Sequence, residues 1–402
     1  MFLLNRNALH RQPLTAADAE TLGVAGADIV EHFLAHRDNH LITPLHGLPA
    51  LAAELGLGAL HVKDEGFRLG LGSFKALGGA YAVFRLVLEE AEKRLGRPVD
   101  VGDLDRPDVR AVAATMTVAC ATDGNHGRSV AQGAELAGAK AVIFVHSGVS
   151  QERIAAIARY GAEMVRVDGN YDDSVRQAAK VAADRGWTVV SDTSWPGYER
   201  IPGLVMQGYT AIVREALRQL REPPTHVFVQ AGVGGIAAAV AGHLAIVLGD
   251  ARPIFTVVEP ARAACVVAAA QAERVVKVAH DRPTVMAMLE CYEASQVAWR
   301  VLARTADAFM TVDEDDAIAM MRRLARPAGS DPAIVAGESG GVGLAGLMRA
   351  VAENKMALGL DGNSRVLVIN TEGATDAHRY AELVGTSPAD VLAGKLAAEA
   401  TP

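Results

Sequence analysis

One lysine in this chain stands apart from the others. Lys75 lies in Gly70-Leu71-Gly72-Ser73-Phe74-Lys75-Ala76-Leu77-Gly78-Gly79, after a glycine-rich turn and just before the apolar run Ala80-Tyr81-Ala82-Val83-Phe84. Surface lysines usually sit among other charges, far from glycine clusters. Glycine on both sides and an aromatic neighbour suit an amine held against a flat ligand. The chemistry this points to is condensation of the Lys75 amine with an aldehyde, that of pyridoxal 5′-phosphate.

Other segments could serve the same chemistry. Gly232-Val233-Gly234-Gly235 follows an apolar run and precedes a helical one, so its consecutive N–H groups and the helix dipole make a phosphate cradle. The same loop fits a dinucleotide fingerprint, with Ala237 as its third small residue and Glu259 about where a ribose-binding acid is expected. Taken alone, the loop leaves both readings open, and a ligand-free tight turn is the third. Asp123-Gly124-Asn125-His126-Gly127 offers a carboxylate, an amide and a backbone that a ligand can approach; its bland reading is a helix start capped by Asp123 or Asn125. His126 is given no role. Asp192, in Ser191-Asp192-Thr193-Ser194-Trp195, either caps a turn or adds a second carboxylate. Thr371 and the stretch Glu338-Ser339-Gly340-Gly341 also sit at element ends, the latter read as helix capping.

The elements that must position these residues alternate between strand-like and helix-like. After an irregular lead-in to about residue 58, strands are expected at 60–64, 112–121, 140–146, 163–168, 187–191, 226–230, 254–259 and 365–369. Helices are expected at 75–95, 128–137, 151–160, 172–185, 203–220, 236–248, 286–303, 314–324 and 342–354. Near-continuous apolar strands separated by helices indicate mostly parallel sheets covered on both faces. The expected fold class is α/β, with two open twisted sheets sharing one cleft. Ligands in such folds bind beyond the carboxyl ends of strands. Asp123, Asp192, Gly232 and Thr371 each follow such an end.

Composition narrows the class further. The 402 residues carry a formal net charge of −8, are 50% hydrophobic and 21% charged. Lysines and arginines are scattered, so a nucleic-acid partner is not expected. The amino-terminal apolar run is too short for a signal peptide, and no apolar stretch reaches membrane-spanning length. A soluble, cytoplasmic protein is expected. Cys120, Cys265 and Cys291 lack metal-ligand spacing and read as reduced thiols, with a Cys265–Cys291 bridge as the alternative. No metal site is expected.

Together these motifs resemble the fold-type II pyridoxal-phosphate enzymes, the tryptophan synthase β and threonine dehydratase group. Ser73-Phe74-Lys75 is similar to that family's lysine motif, Gly124-Asn125-His126-Gly127 to its Asn loop, and Gly232 to Gly235 to its phosphate loop. Order and spacing agree from about residue 40 to 375, which favours pyridoxal phosphate over NAD. Within the group, the chain most resembles the diaminopropionate ammonia-lyases, on 121–128, 192–198, Ile201-Pro202, 206–209 and 370–373. Threonine dehydratases usually carry a small residue where Asp123 stands, and an arginine near Leu77.

The resemblance implies a carbon–nitrogen lyase that converts 2,3-diaminopropionate to pyruvate and two ammonia. A serine or threonine dehydratase, or a β-replacement enzyme, is the alternative on the same fold. An NAD-dependent dehydrogenase and a non-catalytic sensor are the alternatives from other classes. It implies Lys75, Asp123 and Asp192 as catalytic residues, with Asn125 on the cofactor's phenolic oxygen and Phe74 on its ring. Gly232, Val233, Gly234 and Gly235 would hold the phosphate, and Thr371 would face the ring nitrogen. It also implies a homodimer, a larger cofactor-binding domain from 1–84 and 201–402, and a smaller one from 85–200.

Overall fold

The computed structural model describes residues 1–122, 124–169, 171–279 and 282–394. In chain order its strands are β1 (Phe2–Leu4), β2 (Leu45–Gly47), β3 (Ala59–Asp64), β4 (Thr117–Ala121), β5 (Lys140–His146), β6 (Glu163–Val167), β7 (Thr188–Val189), β8 (His226–Gln230), β9 (Ile254–Pro260), β10 (Ala308–Val312) and β11 (Arg365–Asn370). The chain divides into two compact units. One comprises Met1–Val24, Leu41–Phe74 and Ile212–Pro402, the other Ala25–His40 and Lys75–Ala211. The expected boundary at residue 84 therefore falls inside a continuous helix, Lys75–Leu95, which belongs wholly to the second unit.

The first unit holds a seven-stranded sheet in the order β1-β10-β9-β8-β11-β3-β2. Its inner pairs are parallel, and only the edge strands β1 and β2 run antiparallel to their neighbours. Every residue of β8 and β10 is buried, as apolar strands covered on both faces must be. One core cluster of this unit includes Val62, Phe228, Val258, Met310, Leu347 and Val368.

The second unit holds four parallel strands in the order β6-β5-β4-β7. Its helices pack closely because glycines face backbone. A Cβ on Gly133 would lie 2.6 Å from Ala80 Cα, and one on Gly208 2.4 Å from the Leu77 carbonyl oxygen. Gly78 and Gly79, within the lysine stretch, serve the same purpose: a Cβ there would meet Tyr209 at 2.6 Å or Ser129 Oγ at 2.8 Å. Those two glycines are packing residues.

Most expected elements form, and several differ. The run expected as one strand over 112–121 is the end of a helix, Pro107–Ala113, followed by β4. Pro107 starts that helix, and Val112 turns into the cluster with Ala91 and Val109. The helix expected over 203–220 is two, Arg200–Gly208 and Thr210–Gln219. The helix expected over 286–303 is a short 3₁₀ turn, Ala287–Leu289, and a later helix, Gln296–Thr305. β10 was not expected, because five apolar residues carry no period that separates strand from helix. Among the described residues, no helix is long and apolar enough to cross a membrane.

Candidate active site

The lysine stretch leaves β3 through a turn of unusual backbone. Leu69 has φ 49°, and Gly70 and Gly72 have φ 72° and 73°. Only the glycines adopt this region without strain, so Leu69 must be held there. The anchor is the preceding residue. Arg68, fully buried, reaches Glu65 through Nε (2.7 Å) and Nη2 (2.8 Å), and Glu215 through Nη1 (2.8 Å) and Nη2 (2.7 Å). Lys63 Nζ donates to Glu215 and to the Thr43 carbonyl, each at 2.7 Å. Thr43 Oγ1 donates to Glu65 at 2.7 Å. Two cations thus face two carboxylates, each satisfied by fork-like contacts. Burial works to lower the Arg68 pKa, but Glu65 and Glu215 raise it overall.

Beyond this anchor the turn is sewn to the end of β11. Gly373 donates its N–H to the Gly72 carbonyl (3.0 Å), Ser73 bridges Glu372, and Phe74 donates its N–H to the Thr371 carbonyl (2.9 Å). The tie ends one residue short of Lys75, which opens the helix Lys75–Leu95. A cation at a helix N-terminus is electrostatically unfavourable. A carboxylate compensates it: Lys75 Nζ pairs with Asp192, both side chains being partly exposed. Burial opposes ionisation of Asp192, but the Lys75 ammonium and then His126 hold its carboxyl below the ordinary range.

Asp192 is itself held by the strand end before it. Val190 donates its N–H to Ala119 at 2.8 Å. His126 Nε2 lies 3.0 Å from the Val190 carbonyl oxygen and must carry a proton there, since a carbonyl only accepts. Tyr198 donates its hydroxyl to the Val189 carbonyl (2.8 Å) and accepts from the Ser191 N–H (3.0 Å). Its ring stacks on Trp195, with centroids 4.2 Å apart. A histidine and a tyrosine therefore clamp the turn that carries Asp192.

Thr122 caps the helix Asn125–Ala137: its Oγ1 accepts from Gly124 and Gly127, each at 3.1 Å. Asn125 is not needed for that job. Asn125 is buried at the first turn of the helix. Asp123 lies outside the described residues.

In the first unit, Gly232, Val233, Gly234 and Gly235 join β8 to the helix Gly235–Leu248. Gly234 has φ 97°, which a side chain would strain, and it packs on Ala298 and Val266. The first N–H groups of a helix of 14 residues are directed at whatever occupies this turn, as anion binding requires. Glu259 answers the dinucleotide reading. It is fully buried, and its two oxygens accept from Val266 N–H (2.9 Å) and Val267 N–H (2.7 Å). Burial pushes its carboxyl up to about 8. An acid spent on capping a helix is not available to a ribose. Cys265 and Cys291 flank the same turn as free thiols, Cys265 Sγ contacting the Gly232 carbonyl oxygen at 3.4 Å.

Thr371, buried just beyond β11, receives the amide of Gln230 at 2.8 Å. Gln230, Arg68 and the clamping roles of His126 and Tyr198 are not among the residues that the sequence motifs single out. A polar residue directly after the apolar run 227–229 is the available signal for Gln230. The stretch 338–341, read as helix capping, instead presents the Gly340 carbonyl to Gln230, and Gly341 precedes its helix without a side-chain cap. Among the described residues, no group of three metal-ligating side chains converges.

These parts fit pyridoxal phosphate. An amine ends a rigid turn, a glycine-lined helix N-terminus suits a phosphate, and a buried neutral hydroxyl suits a ring nitrogen. Comparison with known proteins agrees. The sequence pattern of the family described as "Pyridoxal-phosphate dependent enzyme" matches residues 37–372. The chain is 42% identical over 352 residues to a diaminopropionate ammonia-lyase of Escherichia coli, covering 85% of this chain and 87% of that one. It is 38% identical over 359 residues to that of Salmonella typhimurium, covering 86% and 88%. The crystal structure of the holo Escherichia coli diaminopropionate ammonia lyase superposes with a TM-score of 0.86 at 36% identity, covering 96% of each chain.

Proposed function

The chain belongs to the pyridoxal-phosphate dependent enzymes and, among them, to the diaminopropionate ammonia-lyases, and we propose that it converts 2,3-diaminopropionate and water to pyruvate and two ammonia. Bound pyridoxal phosphate supplies an electron sink that makes the Cα proton of an attached amino acid removable and a β-substituent expellable. The protein's own residues do the rest.

Lys75 Nζ is the amine that carries the cofactor, and once released it takes the Cα proton of the L isomer from the face it occupies. Asp123, one residue beyond the Thr122 cap, serves as base for the D isomer. Asp192 pairs with the β-ammonium of the substrate, which already carries the protons it needs to leave as neutral ammonia. Gly232, Val233, Gly234 and Gly235 hold the phosphate, Asn125 the phenolic oxygen and Thr371 the ring nitrogen, with Phe74 against the ring. The β nitrogen leaves as the first ammonia, and hydrolysis of the remaining unsaturated amine releases the second. The same reading makes the enzyme a cytoplasmic homodimer of amino-acid catabolism, as its family resemblance implies.

The observation that carries this reading is the Lys75–Asp192 pair. A carboxylate kept ionised beside the reactive amine suits a substrate that brings a second ammonium. A β-hydroxyl needs no such charge. The test is kcat/KM for both isomers of diaminopropionate against D-serine, L-serine and threonine, in wild type and Asp192→Asn. Wild type should prefer diaminopropionate, and Asp192→Asn should lose that preference by at least about tenfold, which is about 1.4 kcal/mol. Equal discrimination in the two proteins would remove Asp192 from substrate selection.

A further inference from the structure

Leu41, Ile42 and Phe67 are large apolar side chains left 79%, 60% and 53% exposed. Scattered apolar residues on a surface need no explanation, but these three share one rigid anchor. Arg68 Nη1 donates to the Leu41 carbonyl (3.3 Å), and Nη2 donates to Thr43 Oγ1 (3.0 Å). Thr43 donates its N–H to Glu215 (3.3 Å), and its carbonyl accepts from Lys63 Nζ (2.7 Å) and Gln219 Nε2 (3.0 Å). Phe67 precedes Arg68 in the short 3₁₀ helix Glu65–Gly70, which opens the turn before Lys75. The backbone beside all three side chains is thus pinned to one buried network, while the side chains themselves face outward.

A preorganised surface loses little freedom when it is covered, which favours docking. Charge points to the occupant. Beneath these side chains Lys63 and Arg68 face Glu65 and Glu215, so two cations are balanced by two carboxylates. A charged patch set against its own copy across a twofold axis meets like charge, whereas a neutral apolar one meets its complement. We propose that a second copy of this chain seats on Leu41, Ile42 and Phe67, and that its seating steadies the turn that leads to Lys75. Leu69, at φ 49°, is strained, and Arg68 holds it from the inside. A partner on Phe67 holds the same short helix from the outside. This rests on the proposed homodimer with its cofactor at Lys75, and gives that dimer a surface and a consequence.

The test is sedimentation equilibrium of wild type, Ile42→Asp, Phe67→Asp and Met356→Asp, with and without cofactor, beside a titration with pyridoxal phosphate read by absorbance. Met356, 96% exposed on the separate helix Lys355–Leu358, is the control. Wild type and Met356→Asp should be dimers of equal strength, and Ile42→Asp and Phe67→Asp should weaken the dimer at least about thirtyfold. Ile42 lies outside the turn, so monomeric Ile42→Asp reports the coupling: it should bind pyridoxal phosphate at least about fivefold more weakly. By linkage the cofactor should tighten the wild-type dimer by the same factor. A wild-type dimer that both Asp variants leave intact overturns the surface. A monomeric Ile42→Asp with unchanged cofactor affinity overturns its hold on the turn. A wild-type monomer overturns the homodimer itself, and a wild type that takes up no cofactor overturns the reading at Lys75, while sedimentation still decides the surface. If an Asp variant fails to fold, Leu41→Ser and Ile42→Ser take its place, and an undiminished dimer in both overturns the surface.

Discussion

Phe74 donates its main-chain N–H to the carbonyl of Thr371 at 2.9 Å. The residue before Lys75, the lysine proposed to carry the cofactor, and the residue proposed to face its ring nitrogen thus share a backbone hydrogen bond, although 297 positions separate them. The Lys75 turn is registered on the end of β11 before any ligand is considered. Behind the turn, Arg68 holds it through two buried carboxylates.

Removing Arg68 should expose how much that anchor matters. Arg68→Met leaves Glu65 and Glu215 buried with Lys63 as the remaining cation of the network, and should destabilise the protein by about 3–5 kcal/mol. Urea denaturation of the cofactor-free protein measures this. A loss below about 1 kcal/mol would mean that the network does not bear on the fold.

Two glycine substitutions should go in opposite directions. Gly133→Ala would put a Cβ 2.6 Å from Ala80 Cα, a backbone atom, and should lose about 1–3 kcal/mol despite the better helix propensity of alanine. Gly203, in the helix Arg200–Gly208, has nothing within 4 Å of the same position. Gly203→Ala should be neutral or gain up to about 1 kcal/mol. Thermal melts of both variants check the pair, and a stabilising Gly133→Ala would contradict the close helix packing.

The Lys75–Asp192 pair has a pH signature. A carboxyl held below its ordinary range contributes stability above its unfolded pKa, about 3.9, and that contribution is lost as the pH falls through the lower folded value. The stability gap between cofactor-free wild type and Asp192→Asn should be steady from pH 7 to about pH 5 and should narrow below about pH 4. Urea titrations at a series of pH values measure the gap. A gap that stays constant to pH 3 would contradict the pairing.

Tyr198→Phe tests the clamp on the Asp192 turn. It removes the hydroxyl that holds the Val189 carbonyl and the Ser191 N–H but keeps the ring on Trp195. The expected loss is about 1 kcal/mol of stability, with kcat for diaminopropionate falling more than the stability loss explains. An unchanged kcat would show that Asp192 is positioned without Tyr198.

How much of this was legible in the sequence depended on whether the information was local. The glycines before Lys75 and Gly234 stood out because a positive φ is a demand made within a turn. Glu259 misled because its distance from Gly232 suits a ribose acid; only the fold reveals that its oxygens are taken by Val266 and Val267. In isolation Asp192 reads as a turn cap or a second carboxylate, and its pairing with Lys75 is a contact that only the fold supplies. The roles of Gln230, Arg68 and Tyr198 are not local, because their partners include Thr371, Glu215 and Val189, contacts that only the fold brings together. Gly78 and Gly79, which looked like part of the ligand turn, belong to helix packing.

The most direct test of the proposed activity is to count both products. With D- or L-2,3-diaminopropionate, the holoenzyme should release two ammonia for each pyruvate, and Lys75→Ala should release neither. One ammonia per pyruvate, or turnover of serine in the absence of turnover of diaminopropionate, would contradict the assignment.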